Sequence, residues 1–166
     1  MDLFEAIGRR RSIRRYQTVD IPAEDVEELA RLATFPANLD DVHKYRLIAV
    51  SDRSLIREMR SICMDYIDRV SANWSDEEGE QAWTSLGVPP PKDEPAGEKA
   101  KERFRNFSVR FVTFFGDAPV VLVVLSNALP WLPAEHVWPT VQLVGAMIQT
   151  ILLGVTEKGY GACCMT

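Results

Sequence analysis

Apolar positions recur along this chain at two spacings. Leu55, Ile56, Met59, Ile62, Cys63, Tyr66, Ile67 and Val70 follow the three-and-four interval of an amphipathic helix that starts at Ser51 or Asp52. The same interval predicts a helix with Val26, Leu29, Ala30 and Ala33 as its stripe, Pro22 in its first turn, and Glu24 and Asp25 complementing its dipole. A short first helix presents Leu3, Phe4 and Ile7 on one face, opens on Asp2 and Glu5 at capping spacing, and ends near Gly8. Phe104, Phe107, Phe111 and Phe114 give another helical stripe. The longest helix is predicted over residues 140–158, with Val141, Val144, Ile148, Ile151 and Val155 as its stripe and Gly159 as its stop. Nearly every face of it is apolar, so it should be central and open to sharing with a second subunit, with Gly145 and Ala146 allowing close backbone approach.

Strands are predicted where the pattern changes. "TFPANLDDVHK" is rich in turn formers and leads into a strand over 45–50. "APVVLVVL" (118–125) is a continuous apolar run between Asp117 and Ser126, which predicts a strand buried on both faces. "YGACCMT" predicts a last strand. Between these elements, residues 71–103 change character. "SDEEGEQAW" allows a short helix with a solvated acidic face, and "GVPPPKDEPAGEK" is too polar and proline-rich to build a core. The segment reads as an excursion from a single domain, a flap or arm, with Trp74 and Trp83 gluing it down or roofing a substrate channel.

Composition narrows the function. A chain of 166 residues fits one domain, and its net charge of −5 excludes a broad nucleic-acid or membrane-surface role. The N-terminus lacks the basic-then-apolar order of a signal peptide, and no apolar run reaches 18 residues. Three cysteines cannot form a disulfide framework, which favours a reducing, cytoplasmic setting. His43 and His136 with Cys163 and Cys164 lack metal-ligand spacing, so no metal site is expected, and the two adjacent cysteines should pack as small apolar residues in a buried strand. Gly159 and Gly161 follow a helix instead of a strand, the wrong order for a dinucleotide loop.

Against this acidic background, "RRRSIRR" (9–15) concentrates five arginines around Ser12. Three readings compete. The arginines can answer the carbonyl end of the first helix. They can mark Ser12 for phosphorylation. Or Arg10 and Arg14 can fork onto phosphate oxygens while Ser12 donates a hydrogen bond.

The order of these pieces resembles the nitroreductase family of FMN-dependent oxidoreductases. The short helix, R-R-S-x-R and the I-P-x-E-D-V-x-x-L helix resemble the family's opening; "ATFPANLDDVHKYRLIAV" its proline-small-Asn loop and strand; "DAPVVLVVL" its inner strand; and "VGAMIQTILLGVTEKGYGACCMT" its central helix and Gly-x-Gly-x-Cys segment. The resemblance implies an α+β fold with a central mixed β-sheet flanked by helices, in an interlocked homodimer that binds FMN in two interface clefts. Arg10, Ser12 and Arg14 would hold the phosphate and ribityl chain, with Arg11 adding backbone or ring contacts. Pro36, Ala37 and Asn38 would approach from the other subunit, and Cys164 and Met165 would lie along the ring. Hydride would pass from NAD(P)H through FMN to a nitroaromatic, quinone or similar acceptor, in ping-pong order and without a protein acid or base. Two departures stand out: His43-Lys44-Tyr45 replaces the family's Gln-Pro-Trp, and the family's later strand and partner-embracing arm are expected to be absent from this chain. They support a second reading, a protein of the same fold with weak or lost flavin binding that serves as a binding or assembly module.

Overall fold

The computed structural model describes residues 2–36, 45–72, 98–126 and 138–165. Along the chain these form α1 (Leu3–Arg9), α2 (Ala23–Leu32), β1 (Tyr45–Val50), α3 (Arg53–Ala72), α4 (Glu98–Val112), a 3-10 turn (Phe114–Asp117), β2 (Val121–Ser126) and α5 (Trp138–Glu157). They fall into two compact units, Met1–Arg53 with Ala118–Thr166, and Ser54–Asp117.

The core of the first unit lies between α2, α5 and one face of the strand pair. Leu29 and Ala33 meet Leu143, Met147, Ile151 and Val155, flanked by Leu32, Tyr45, Leu47, Leu122 and Val124. The strands are antiparallel, with Tyr45 opposite Ser126 and Leu47 opposite Val124. Alternate residues therefore turn inward. In β2 Val121–Val124 are half-buried and Leu125 is 47% exposed, so the strand expected to be buried on both faces is only half-covered. An antiparallel pair lays one face on its core and leaves the other open.

Helix α5 has nearly the predicted extent, and its predicted stripe holds at Ile151 and Val155 but not at its start. Leu143, Met147, Ile151, Leu152 and Val155 are its buried residues, whereas Val141 is 52% exposed. A helix that is apolar all round has no unique stripe, so periodicity alone cannot say which side faces in. Close approach occurs at Gly154, where an added Cβ would collide with Leu32 Cδ1 and lie 3.3 Å from Leu29 Cδ2; Gly145 has nothing within 4 Å. Thr140–Glu157 is long and apolar enough on average to cross a membrane by length and composition, although Gln142, Gln149 and Thr150 interrupt its apolar run. Core helices meet the same measure, and this one packs its Leu143–Val155 line against α2 and the strands.

Asp2 caps α1 as expected, its Oδ1 accepting from the Glu5 N–H at 2.8 Å. The anticipated inner face is nevertheless turned out. Ala6 is the buried residue, while Leu3, Phe4 and Ile7 are 61%, 85% and 51% exposed. Pro22 stands at the N-cap of α2, one residue before the helix.

In the second unit, α3 buries Ile56 and Ile67 and leaves Leu55, Ile62 and Tyr66 exposed. Arg105 Nε on α4 donates to Asp68 Oδ1 on α3 at 2.8 Å. The stem of Arg60 lies over Gly116, where a Cβ would overlap it. Phe104 is buried and the Phe107 and Phe111 rings are 4.6 Å apart, but Phe114 lies past the helix in the 3-10 turn. Helices α3 and α4 claim residues 71–72 and 98–103 of the predicted excursion. The remainder, with Trp74 and Trp83, lies outside the described residues.

Candidate functional site

The site begins where α5 stops. Gly159 has φ +80°, the left-handed conformation that glycine adopts without a Cβ penalty. The Tyr160 N–H donates to Val155 O at 2.9 Å and the Gly159 N–H to Thr156 O at 3.1 Å, the paired bonds of a Schellman stop. The chain leaves that turn as residues 160–165 and runs parallel to the arginine-rich segment. Ala162 bridges Ser12, and the Ile13 N–H donates to Ala162 O at 2.9 Å. Gly161 permits this contact, because a Cβ there would lie 2.9–3.0 Å from Ile13 Cγ1, Cβ and Cγ2. This isolated bridge replaces the predicted last strand. Only one residue of the segment pairs with 12–13, too few to build a ladder.

The bridge makes neighbours of two segments far apart in sequence, one carrying the candidates Arg10, Arg11, Ser12 and Arg14 and the other Cys164 and Met165. The arginines differ in employment. Arg9 is paired with Glu5 at 3.0 Å. Arg11 Nη1 donates to Gly8 O at 2.9 Å and Arg10 O at 2.8 Å, so its side chain answers a carbonyl at the end of α1. Arg10 ends α1 with φ −55° and ψ 128° and is half-buried, while Ser12 and Arg14 are exposed. On the facing segment Cys163 is half-buried, its Sγ donating to Cys164 O at 3.3 Å, and Cys164 and Met165 are exposed. The cysteines are thus not the buried strand packing that was expected.

Pro36 lies elsewhere in the same chain. Asp25 meets Lys158 while Leu32 meets Gly154, so α2 runs antiparallel to α5. Pro36 follows the far end of α2, beyond roughly 10 Å of helix from Asp25 at 1.5 Å per residue. Ala37, Asn38, His43 and His136 lie outside the described residues. No group of three metal-ligating side chains occurs among the described residues.

Two features were not legible beforehand. Tyr16 is half-buried beside this strip, and its phenol is pushed up to about 12, first by burial and then by the Cys163 sulfur, against the pull of Arg14. The second is a clamp between helix ends. Asp25 Oδ1 accepts from Lys158 Nζ at 2.7 Å and its Oδ2 from the Tyr160 hydroxyl at 2.5 Å, while Glu28 Oε2 takes Lys158 at 2.6 Å. The hydrogen bonds from Lys158, then Tyr160, hold the Asp25 carboxyl below its usual range. Bonding to Asp25, then Glu28, raises Lys158, and the Asp25 bond raises Tyr160.

These directions fix a pH window. A lowered carboxyl contributes stability above its unfolded value, about pH 4, and loses it as pH falls through the still lower folded value. Raised Lys and Tyr groups contribute fully below about pH 10 and lose that contribution as pH climbs through their folded values. The Tm difference between the wild type and Asp25→Asn is therefore expected to be flat from about pH 5 to 9 and to shrink on both sides. Thermal melts across that range check it; a difference that varied within the window would contradict the assignment.

A cavity of about 360 Å³ lies apart from the strip, lined by Asp20, Ile21, Ser51, Arg53, Pro119 and Val120. Arg53 Nη2 and Nε close on Asp20 Oδ1 there at 2.7 and 3.2 Å.

The Nitroreductase family profile matches residues 7–166. A 4-nitrobenzoate reductase of Nocardioides sp. (strain LMS-CY) is 31% identical over 180 residues, covering 98% of this chain and 68% of that protein. Among solved structures, a BluB-like flavoprotein of Clostridium difficile 630 is similar with a TM-score of 0.68 at 23% identity, covering 98% of this chain and 73% of its own. An iodotyrosine deiodinase bound to FMN and 3-iodo-L-tyrosine gives 0.65 at 20% identity, over 99% and 74%. The FMN-dependent nitroreductase NfnB of Mycobacterium smegmatis, in complex with NADPH, gives 0.56 at 18% identity, over 98% and 75%. The likeness to these structures is one of fold, mixed helix and sheet with helix predominating.

Proposed function

From the premise that this chain belongs to the nitroreductase family, we propose that it is an FMN-dependent oxidoreductase that uses NAD(P)H to reduce an oxidised small molecule. The observation that carries the reading is the bridge between Ser12 and Ala162, which puts the arginine-rich segment alongside the segment that carries Cys164 and Met165. The residues fit a phosphorylated flavin. Arg10 and Arg14 supply planar forks for phosphate oxygens, Ser12 a hydroxyl donor, and the exposed Cys164–Met165 stretch a surface along which a flat ring can lie. Arg11, committed to the α1 carbonyls, acts by holding Arg10 in place. When bound, FMN supplies the two-step relay of hydride from nicotinamide to acceptor, and the protein supplies position and charge.

Pro36, Ala37 and Asn38 enter the same pocket from the partner in a homodimer. The exposed apolar residues Leu3, Phe4 and Ile7 of α1 and Val141 of α5 support such an assembly. Asn38 suits this place better than Asp41, because a carboxylate would repel the reduced, anionic ring. Nitroaromatic acceptors are favoured by the relative named for 4-nitrobenzoate, ahead of quinones, enones and halogenated rings. Selectivity among them is assigned to residues 71–103, and a cytoplasmic location agrees with three free thiols.

The test is direct. Protein incubated with FMN and then freed of unbound cofactor should be yellow, absorb at about 450 nm, and bleach when NADPH is added without oxygen. Arg10→Ala should cost about 1.5–3 kcal/mol of FMN affinity, the worth of a charge-assisted hydrogen bond. Unchanged affinity in that variant removes the phosphate assignment, and wild-type protein that stays colourless removes the enzyme.

A further inference from the structure

The segment that would meet the flavin is short and thinly tethered. From the Schellman stop at Gly159 to Met165 it makes a backbone bridge to the rest of the chain at Ala162. One attachment leaves a segment free to swing about it. A second attachment two residues earlier removes that freedom, and Tyr160 provides it through its bond to Asp25. Tyr160 and Ala162 also pack against the core cluster, so both anchors are seated on the same apolar base.

The anchor itself is unusually well held. Asp25 lies in the first turn of α2, and Lys158 follows the last residue of α5, so each charge is stabilised by the helix end it occupies. Lys158 Nζ is shared between Asp25 and Glu28, which stand one helical turn apart. The side chains of Asp25 and Lys158 are only 23% and 19% exposed, so water competes little for these bonds. Two helices are thereby fixed to each other at the point from which the segment departs.

We infer that Asp25, Lys158 and Tyr160 are positioning residues for the cofactor: the clamp sets where the backbone of residues 162–165 meets the flavin ring. The inference rests on the FMN reading above. None of the three side chains touches the ring; they act through the segment. A clamp that only stapled α2 to α5 would change melting temperature without changing the flavin's surroundings.

The experiment uses the full chain with Tyr160→Phe, which keeps the ring packing and removes the hydroxyl, alongside Asp25→Asn, Lys158→Met and Lys158→Arg. In cofactor-free protein, hydrogen exchange of the Ile13 amide, which donates to Ala162 O, should accelerate several-fold in Tyr160→Phe, while α5 amides such as that of Ile151 keep their protection. With FMN, the same variant should bind roughly three- to tenfold more weakly, the effect of one lost hydrogen bond, and shift the flavin absorption band. Asp25→Asn and Lys158→Met should move both readouts the same way, while Lys158→Arg, which retains the charge, should keep wild-type values. Unchanged Ile13 exchange in both Tyr160→Phe and Asp25→Asn overturns the clamp, whatever the flavin does. Faster exchange with an unaltered flavin spectrum and affinity overturns its link to the cofactor. Failure of the wild type itself to bind FMN is a separate outcome and defeats the functional reading and, with it, the cofactor link; the exchange data then still decide whether the clamp holds the segment.

Discussion

Gly161→Ala is expected to weaken FMN binding by about 1–3 kcal/mol, roughly five- to more than a hundredfold, while leaving the helical circular dichroism intact. The added methyl would lie 2.9 Å from Ile13 Cγ1 and 3.0 Å from Ile13 Cβ and Cγ2. A long side chain could swing its tip away, but Ile13 is branched at Cβ and stiff at χ1, and the crowded atoms sit at its root. Relief requires the two backbones to part, which stretches the 2.9 Å bond from Ile13 N to Ala162 O. The arginines then no longer stand at a fixed distance from Cys164 and Met165. Titration of flavin fluorescence measures the loss, and shaving the neighbour in a Gly161→Ala, Ile13→Ala double variant should recover part of it. Wild-type affinity in Gly161→Ala would show that the bridge does not define the pocket.

The largest effect on stability is expected from Met147→Ala. Met147 is fully buried, in the cluster where α5 meets α2 and the strands. Removing its side chain should cost about 2–5 kcal/mol, from lost transfer energy plus the cavity left behind. Against a total of about 5–15 kcal/mol for a typical domain, that is a large share. Urea unfolding followed by circular dichroism reads it directly, and a change below about 1 kcal/mol would mean that the site collapses around the smaller residue.

Local pattern revealed the elements better than their orientation. Strand β1 spans the residues predicted after the turn-rich stretch before it, α2 starts right after Pro22, and Gly159 closes α5. Each of these is decided by residues within a few positions of one another. The face that α1 turns inward and the side that the first turns of α5 bury are decided by what lies opposite, which local pattern does not contain. The site divides the same way. The arginine run and the Cys-Cys-Met segment stand out as residues, but five arginines that look equivalent in sequence have unequal duties once Arg9 has Glu5 and Arg11 has the α1 carbonyls. Asp25 reads locally as a helix-dipole residue, yet its partners Lys158 and Tyr160 lie 133 and 135 positions away. No periodicity carries that information. Tyr16 was missed for the same reason, since its burial comes from elsewhere in the fold.

The Ser12–Ala162 bridge also bears on how the molecule is made. Its two sides are about 150 residues apart, a contact of very high sequence separation that pays loop-closure entropy late and slows folding. A nascent chain can form α1, α2 and the first strand while synthesis continues, but residue 162 must clear the ribosome before residues 10–14 acquire their neighbour. Residues 10–14 therefore wait for the far side of their bridge, and a ribosome-stalled product ending before Gly161 should display its guanidinium groups without the Ala162 contact.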